Sequence, residues 1–388
     1  MHSSYRIRRF PDFASLPPAY RTLLQGETER LGLFRDPEWF EHLMQHFFEG
    51  DELRLFGVEE AEGGHPLLLV PMRYSTTDYA VRKGRVMGAI SNPENYTTVA
   101  LMCDPAIGDP VPVLEALFRH FRGGEPDLHP LRYDAVRLWP AELDSEQGRV
   151  IHRALRGAGF LVQTYANSFN RFEGTEGLSY EDYFALRSAN MRYNVRRRER
   201  ALQKRGDLSI QLVTEQADLD RVIPDYIFVS RNSWKMPTSM YSLETMQLMK
   251  LCADKGCLRL GILRLGEVAV AVQFWIVSGG TAHCARLAYH EDYRKQAVGV
   301  VLTGFMIAHV LDQDRVGKLD YGYGRDEYKR GWMRDAREYY GFIAFNPSSL
   351  QGLAAALQNI LGRPLKRLLK RGLGAMGWKR FQERPEED

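Results

Sequence analysis

The sequence predicts an α/β protein made of two related domains lying side by side. Its 388 residues exceed one compact core at roughly 100 to 200 residues per domain. A helix followed by a hairpin is written twice, with Leu53-Arg54-Leu55 in the first copy and Leu258-Arg259-Leu260 in the second. Strand-like runs rich in Leu and Val alternate with helical spacing elsewhere, which is the pattern of layered α/β architecture.

The elements follow in order. Trp39, Phe40, Leu43, Met44, Phe47 and Phe48 recur at helical intervals after Asp36, which is suited to cap the helix. Residues 53–58 and 66–73 then read as paired strands around the turn glycines Gly63 and Gly64. Residues 133–138 read as a strand, 144–158 as a helix and 159–165 as a strand. Residues 179–205 read as a polar helix and 208–213 as a strand. The second copy opens at Ser242, a cap for a helix through Met246, Met249, Leu251 and Cys252. Its strands are 258–263 and 268–277, around Gly266 and Glu267. The expected division is 1–165, 166–350 and a basic amphipathic tail, 351–388.

Composition excludes several classes. With 44% hydrophobic and 26% charged residues, disorder and a disulfide scaffold are ruled out. A net charge of +3 argues for no nucleic-acid partner by itself, so any basic function is local. Cys103, Cys252, Cys257 and Cys284 include no CxxC pair, and no metal is expected. Leu43 stands where a zinc-protease helix needs Glu beside His42 and His46. No apolar stretch spans a bilayer and no secretory signal follows Met1, so the expected location is the cytoplasm, with the basic tail suited to the inner membrane face.

Three segments carry candidate chemistry. Residues 192–205, RYNVRRRERALQKR, set seven Lys or Arg against the single acid Glu199. Asn190, Arg192, Arg196 and Arg197 fall within two turns and are suited to gripping an anionic group, against the plainer reading of a solvated helix face. Residues 282–302, AHCARLAYHEDYRKQAVGVVL, read as a strand, a polar loop and a helix opening near Gly299, whose free N–H groups favour an anion. Residues 320–332, DYGYGRDEYKRGW, end a strand in a dense set of titratable groups. Neither a P-loop nor a complete GxGxxG occurs.

Through these segments, together with the Ser233-Trp234-Lys235 stretch, the chain resembles the CelD-like branch of the GNAT acyltransferases, which has two GNAT-type domains and is related in fold to Fem-type aminoacyl transferases. The resemblance implies two tandem GNAT-like domains, each a mixed, mostly antiparallel sheet flanked by helices. It also implies an acyl-CoA co-substrate whose pyrophosphate rests on Gln296, Ala297, Val298, Gly299 and Val300. Val301 departs from the family's loop, which has Gly or Ala at that position. Tyr328 and Lys329 are similar to an aromatic-Lys pair of the Fem-type enzymes, which implies an oxyanion-neutralising or ligand-binding role for Lys329.

The reaction implied is attack of an amine on a thioester, with Asp320, Glu291 and His290 as alternative general bases and His283 on the preceding strand. Trp234 and Lys235, with Tyr328, are candidates for acceptor binding. The acceptor class implied is an amino sugar or an exopolysaccharide or cell-envelope precursor, and a sugar nucleotide suits the arginines. Two other readings keep the fold: an aminoacyl-tRNA donor, or a non-catalytic binding protein with degenerate domains.

Overall fold

The computed structural model describes residues 4–81, 83–91, 98–123, 132–233 and 242–362. The first half runs β1 (Tyr5–Phe10), α1 (Pro18–Leu31), α2 (Pro37–Phe47), β2 (Glu52–Glu60), β3 (Pro66–Ser75), β4 (Val86–Ala89), β5 (Met102–Cys103), α3 (Val111–Gly123), β6 (Ala135–Ala141), α4 (Glu146–Gly157) and β7 (Leu161–Gly174). The second half runs α5 (Tyr180–Ala185), α6 (Ala189–Gln203), β8 (Leu208–Val213), α7 (Gln216–Arg231), α8 (Leu243–Asp254), β9 (Leu258–Leu265), β10 (Val268–Ser278), β11 (Thr281–Tyr289), α9 (Val298–Asp312), β12 (Lys318–Tyr323), α10 (Glu327–Trp332), β13 (Asp335–Phe345) and α11 (Leu350–Ala356).

The thirteen strands among the described residues belong to one sheet, ordered β1-β2-β3-β4-β6-β13-β7-β12-β11-β10-β9-β8, with β5 beside β3. Two neighbouring pairs are parallel, β4 with β6 and β11 with β12, and the rest are antiparallel. The written duplication is visible in this order. In each half a helix leads into an antiparallel hairpin and a third strand, and a helix then crosses to a parallel strand beside it. Position 165 lies inside β7, and β13 returns from the second half to pair with β6 on one side and β7 on the other.

The hydrophobic runs of β2 and β3 are continuous because helices cover both faces of the sheet. Leu55 and Leu69 enter one core while Phe56, Val58, Leu68 and Val70 enter another, as alternation along a strand requires. The first of these cores also joins the halves, since Trp39, Phe40 and Leu43 of α2 share it with Leu248, Met249 and Cys252 of α8. Lys255 fastens the same contact to Asp36 at 3.0 Å and Glu38 at 2.7 Å. Asp36 caps α2 as its position predicts, accepting from the Glu38 amide at 2.9 Å.

The single polar helix expected over 179–205 is two, because Ser179 caps α5 and Ser188 caps α6 separately. No described helix is long and apolar enough to cross a membrane. The basic tail beyond residue 362, with Trp234 and Lys235, lies outside the described residues.

Candidate active site

β11 and β12 pair in parallel only over Thr281–His283 and Lys318–Asp320. β11 then continues to Tyr289 and passes through a short 3-10 turn, Glu291–Gln296, into α9. His290 caps that turn, its Nδ1 accepting from the Asp292 amide at 3.3 Å. Ala297 stands at the helix N-cap in the left-handed region, φ 57° and ψ 36°, a conformation costing about 1–2 kcal/mol for a residue with a Cβ. The chain thus turns sharply into α9, and no side chain caps this end among the described residues.

A pocket of about 310 Å³ opens at this turn. Ala297, Val298, Gly299, Val300 and Thr303 of the turn and α9 form one wall, and Leu287 and Tyr289 of β11 another. Arg198 of α6, Arg294 of the turn, and Tyr328 and Trp332 of α10 complete it. Backbone amides at a helix start, the positive end of its dipole and two guanidinium groups together make an anion site.

A buried network holds the wall from behind. Thr303 Oγ1 donates to the Gly299 carbonyl at 2.9 Å and accepts from Gln273 Nε2 at 2.7 Å and from Tyr321 OH at 3.2 Å. Trp275 Nε1 in turn donates to Gln273 Oε1 at 2.9 Å. Gly304 lets α5, α6 and α10 close on α9, since a Cβ there would meet Tyr180 Oη at 3.3 Å, Trp332 at 3.8 Å and Val195 at 3.9 Å.

At the corresponding helix of the first half, the start is occupied by a side chain of its own chain. Asp109 sits before α3 and its Oδ1 accepts from the Val111 amide at 3.0 Å. A carboxylate thus occupies the helix end where an anionic ligand would rest, and like charge disfavours one there.

Most of the expected donor-site residues come together, and the others separate. Ala297, Val298, Gly299 and Val300 line the pocket, and Tyr328, expected to bind the acceptor, lines it with them. Gln296 does not line it, and its buried Oε1 has no hydrogen-bond partner among the described residues. Val301 is 5% exposed and packs into the core with Leu302 and Met306, so its bulk points away from the pocket. Lys329 is also turned aside, with Nζ donating to the Tyr323 carbonyl at 2.6 Å and 3.7 Å from Asp326. Burial, with Cys284 nearby, pushes the Tyr328 phenol far above its ordinary pKa and keeps it protonated.

The basic helix divides between two faces. Arg192, Arg196 and Arg197 line a separate groove of about 610 Å³ on α6, with Tyr193, Arg200 and Lys204, and only Arg198 of this helix reaches the pocket. Asn190 accepts from Asn194 Nδ2 at 2.9 Å on the exposed surface.

None of the expected general bases lines the pocket. Asp320 is fully buried, accepting from Asn170 Nδ2 at 2.8 Å, the Gly322 amide at 2.9 Å and Arg337 Nη2 at 2.8 Å. Glu291 pairs with Arg294 at 3.3 Å, while His290 is spent in capping its turn and packs against Phe228 and Tyr293. Sequence reasoning missed Arg294, Tyr289, Leu287, Arg198, Thr303 and Trp332. Arg294 and Tyr289 flank the expected loop and were legible as its neighbours; the others arrive by packing.

Residues 189–330 match the family model described as an acetyltransferase (GNAT) domain, and they include every pocket residue except Trp332. Among solved structures, FemX is similar over 94% of this chain and 100% of its own, with a TM-score of 0.57 at 8% identity, a likeness of fold. A tandem GNAT protein from the clavulanic acid biosynthesis pathway covers 89% of this chain and 100% of its own at 13% identity, with a TM-score of 0.49. A conserved protein of unknown function from Bacteroides thetaiotaomicron covers 79% and 89% at 9% identity, also with a TM-score of 0.49. No curated protein matches by sequence.

Proposed function

We propose that the protein is an N-acyltransferase that moves an acyl group from acyl-CoA to an amine. The observation that carries this reading is the uncapped start of α9, opening into a pocket that also holds Arg198 and Arg294. The donor's diphosphate rests on the amides around Val298 to Val300, and the two guanidinium groups neutralise it. The thioester arm reaches inward along Leu287 and Tyr289, past the point where β11 and β12 cease to pair.

The amine attacks the thioester carbonyl, the tetrahedral oxyanion collapses, and the thiolate leaves. No protein nucleophile is needed, so the work is positioning and charge stabilisation. The Tyr328 phenol, held protonated by burial, stands in the pocket wall, where it gives its proton to the departing sulfur and takes back the one that the attacking amine sheds, so that no tyrosinate is left behind. The wall contains no carboxylate or imidazole among the described residues, so the acceptor enters as the free amine. The acceptor class we assign is an amino sugar or a cell-envelope or exopolysaccharide precursor, supported by the sequence resemblance. Calorimetry with acetyl-CoA and longer acyl-CoAs, followed by thiol release with a panel of amines, tests the reading; failure of every acyl-CoA to bind overturns it.

One observation favours a second reading. Arg192, Arg196, Arg200 and Lys204 recur every four residues along one face of α6, beside the exposed ring of Tyr193, a spacing suited to a phosphate backbone. An aminoacyl-tRNA donor would use this face. Binding of charged tRNA that weakens steeply with salt supports it, and no affinity at low salt removes it.

A further inference from the structure

A second cavity, of about 360 Å³, lies on the seam between the two halves. Its walls come from the end of α1 and the turn after it (Glu27, Arg35), the loop after β6 (Glu142), and the strands β11, β12 and β13 (His283, Lys318, Arg337). The seam is held by close backbone packing. Ser278 Oγ accepts from the Leu33 amide at 2.7 Å, and a Cβ on Gly279 would stand 2.6 Å from the Leu31 carbonyl oxygen. His283 packs its ring on Phe34 at 4.9 Å between centroids. The end of α1 and the turn after it are thus packed directly on β10 and β11 at one wall of the cavity.

The charges around it are matched with one exception. Glu27 is taken by Arg30 at 2.6 Å, with Arg35 at 3.9 Å. Arg337 is taken by Glu142 at 2.6 Å and Asp320 at 2.8 Å. Lys318 alone of these cations has no hydrogen bond or ion pair among the described residues, and its ammonium lies 4.8 Å from the centre of the Phe172 ring. Burial, with Arg337 beside it, lowers the Lys318 pKa, so a counter-charge arriving in the cavity would relieve an existing cost.

We infer that the seam cavity binds an acidic small molecule whose carboxylate or phosphate group pairs with Lys318. Resting on the transferase reading, this is the acidic group of the acceptor, which narrows the acceptor to amines that also carry a carboxylate or a phosphate. The two cavities lie along the same strand, Thr281 and His283 of β11 lining one, Leu287 and Tyr289 the other. His283 and Leu287 are four positions apart, about 13 Å along the strand, and the bulge at Ala285 turns them to opposite faces of the sheet. An extended acceptor therefore reaches the donor pocket by passing between β11 and β12 beyond the point where they cease to pair.

Calorimetry on the full chain tests this with two probes, succinate for the carboxylate and inorganic phosphate for the phosphate, and with acetyl-CoA as the control. One or both anions should bind the native protein, at least tenfold more weakly to Lys318→Met, and with retained affinity to Lys318→Arg. Acetyl-CoA affinity should be equal in all three. Should Lys318→Met fail to fold, Lys318→Gln carries the same expectation. Binding of neither anion, or binding that all variants share equally, overturns the inference. Failure of acetyl-CoA alone removes the donor reading and leaves an anion site on the seam.

Discussion

Gly299 and Tyr289 face each other so closely that a Cβ on Gly299 would stand 3.1 Å from the Tyr289 ring carbon Cδ1. The missing side chain at Gly299 is what leaves the start of α9 open to a ligand, since both residues line the pocket.

Replacing Gly299 with Leu should therefore fill the donor site. Acetyl-CoA affinity should fall at least tenfold by calorimetry, while far-ultraviolet circular dichroism stays native. Unchanged affinity would place the donor elsewhere.

Arg198 and Arg294 should matter to the donor where Arg192, Arg196 and Arg197 do not, because only the first two line the pocket. Arg198→Ala or Arg294→Ala should weaken acetyl-CoA binding by about 1.5–3 kcal/mol, the size of a hydrogen bond to a charged group. The triple alanine variant of the groove should bind acetyl-CoA as the native protein does. Equal losses in both sets would mean that charge alone, and not placement, governs binding.

Asp320 acts as the buried partner of Arg337, Asn170 and the Gly322 amide. Asp320→Asn should lower unfolding stability by about 3–5 kcal/mol, as breaking a buried charge pair does. The shape of the pH–rate profile should be unchanged, and disappearance of the acidic limb would instead give Asp320 the role of general base.

Two histidines should make the fold sensitive to mild acid. Burial pushes the pKa of His283 down to about 4 and that of His42 down to about 4, the latter with His46 nearby. The unfolded chain takes up a proton near the ordinary value of 6.5 while the folded chain does not. Stability is therefore whole above pH 6.5 and falls as the pH drops toward 4. Urea unfolding at pH 7 and pH 5 should differ by about 2 kcal/mol for each histidine. His283→Gln should remove its share, and an unchanged difference would show that His283 titrates normally.

Much of the site was legible where it depends on neighbours in the chain. Val298, Val301 and Leu302 are spaced as one apolar stripe of a helix, so the inward direction of Val301 follows from its position. Asp36, Ser242 and the hairpin glycines likewise declare their roles locally. The arginines of α6 do not. Seven cations in fourteen residues surround the helix on several faces, and only the packing of Val195 and Leu202 against the core decides that Arg198 faces the pocket while Arg192 and Arg196 face outward. Asp320 reads in the sequence either as a general base or as a hydrogen-bonded strand end, and the choice is not local because its partners, Asn170 and Arg337, are supplied by β7 and β13.

By itself the sequence determined the α/β class, the duplicated helix-and-hairpin plan and the loop that opens α9, because each is written in spacings of a few residues that backbone geometry reads directly. Tertiary structure alone decided the return of β13 between β6 and β7, the choice of Arg198 and Trp332 for the pocket, and the unmatched charge of Lys318 on the seam. Those depend on groups far apart in the chain, whose pairing is set by which faces bury together and not by any local preference.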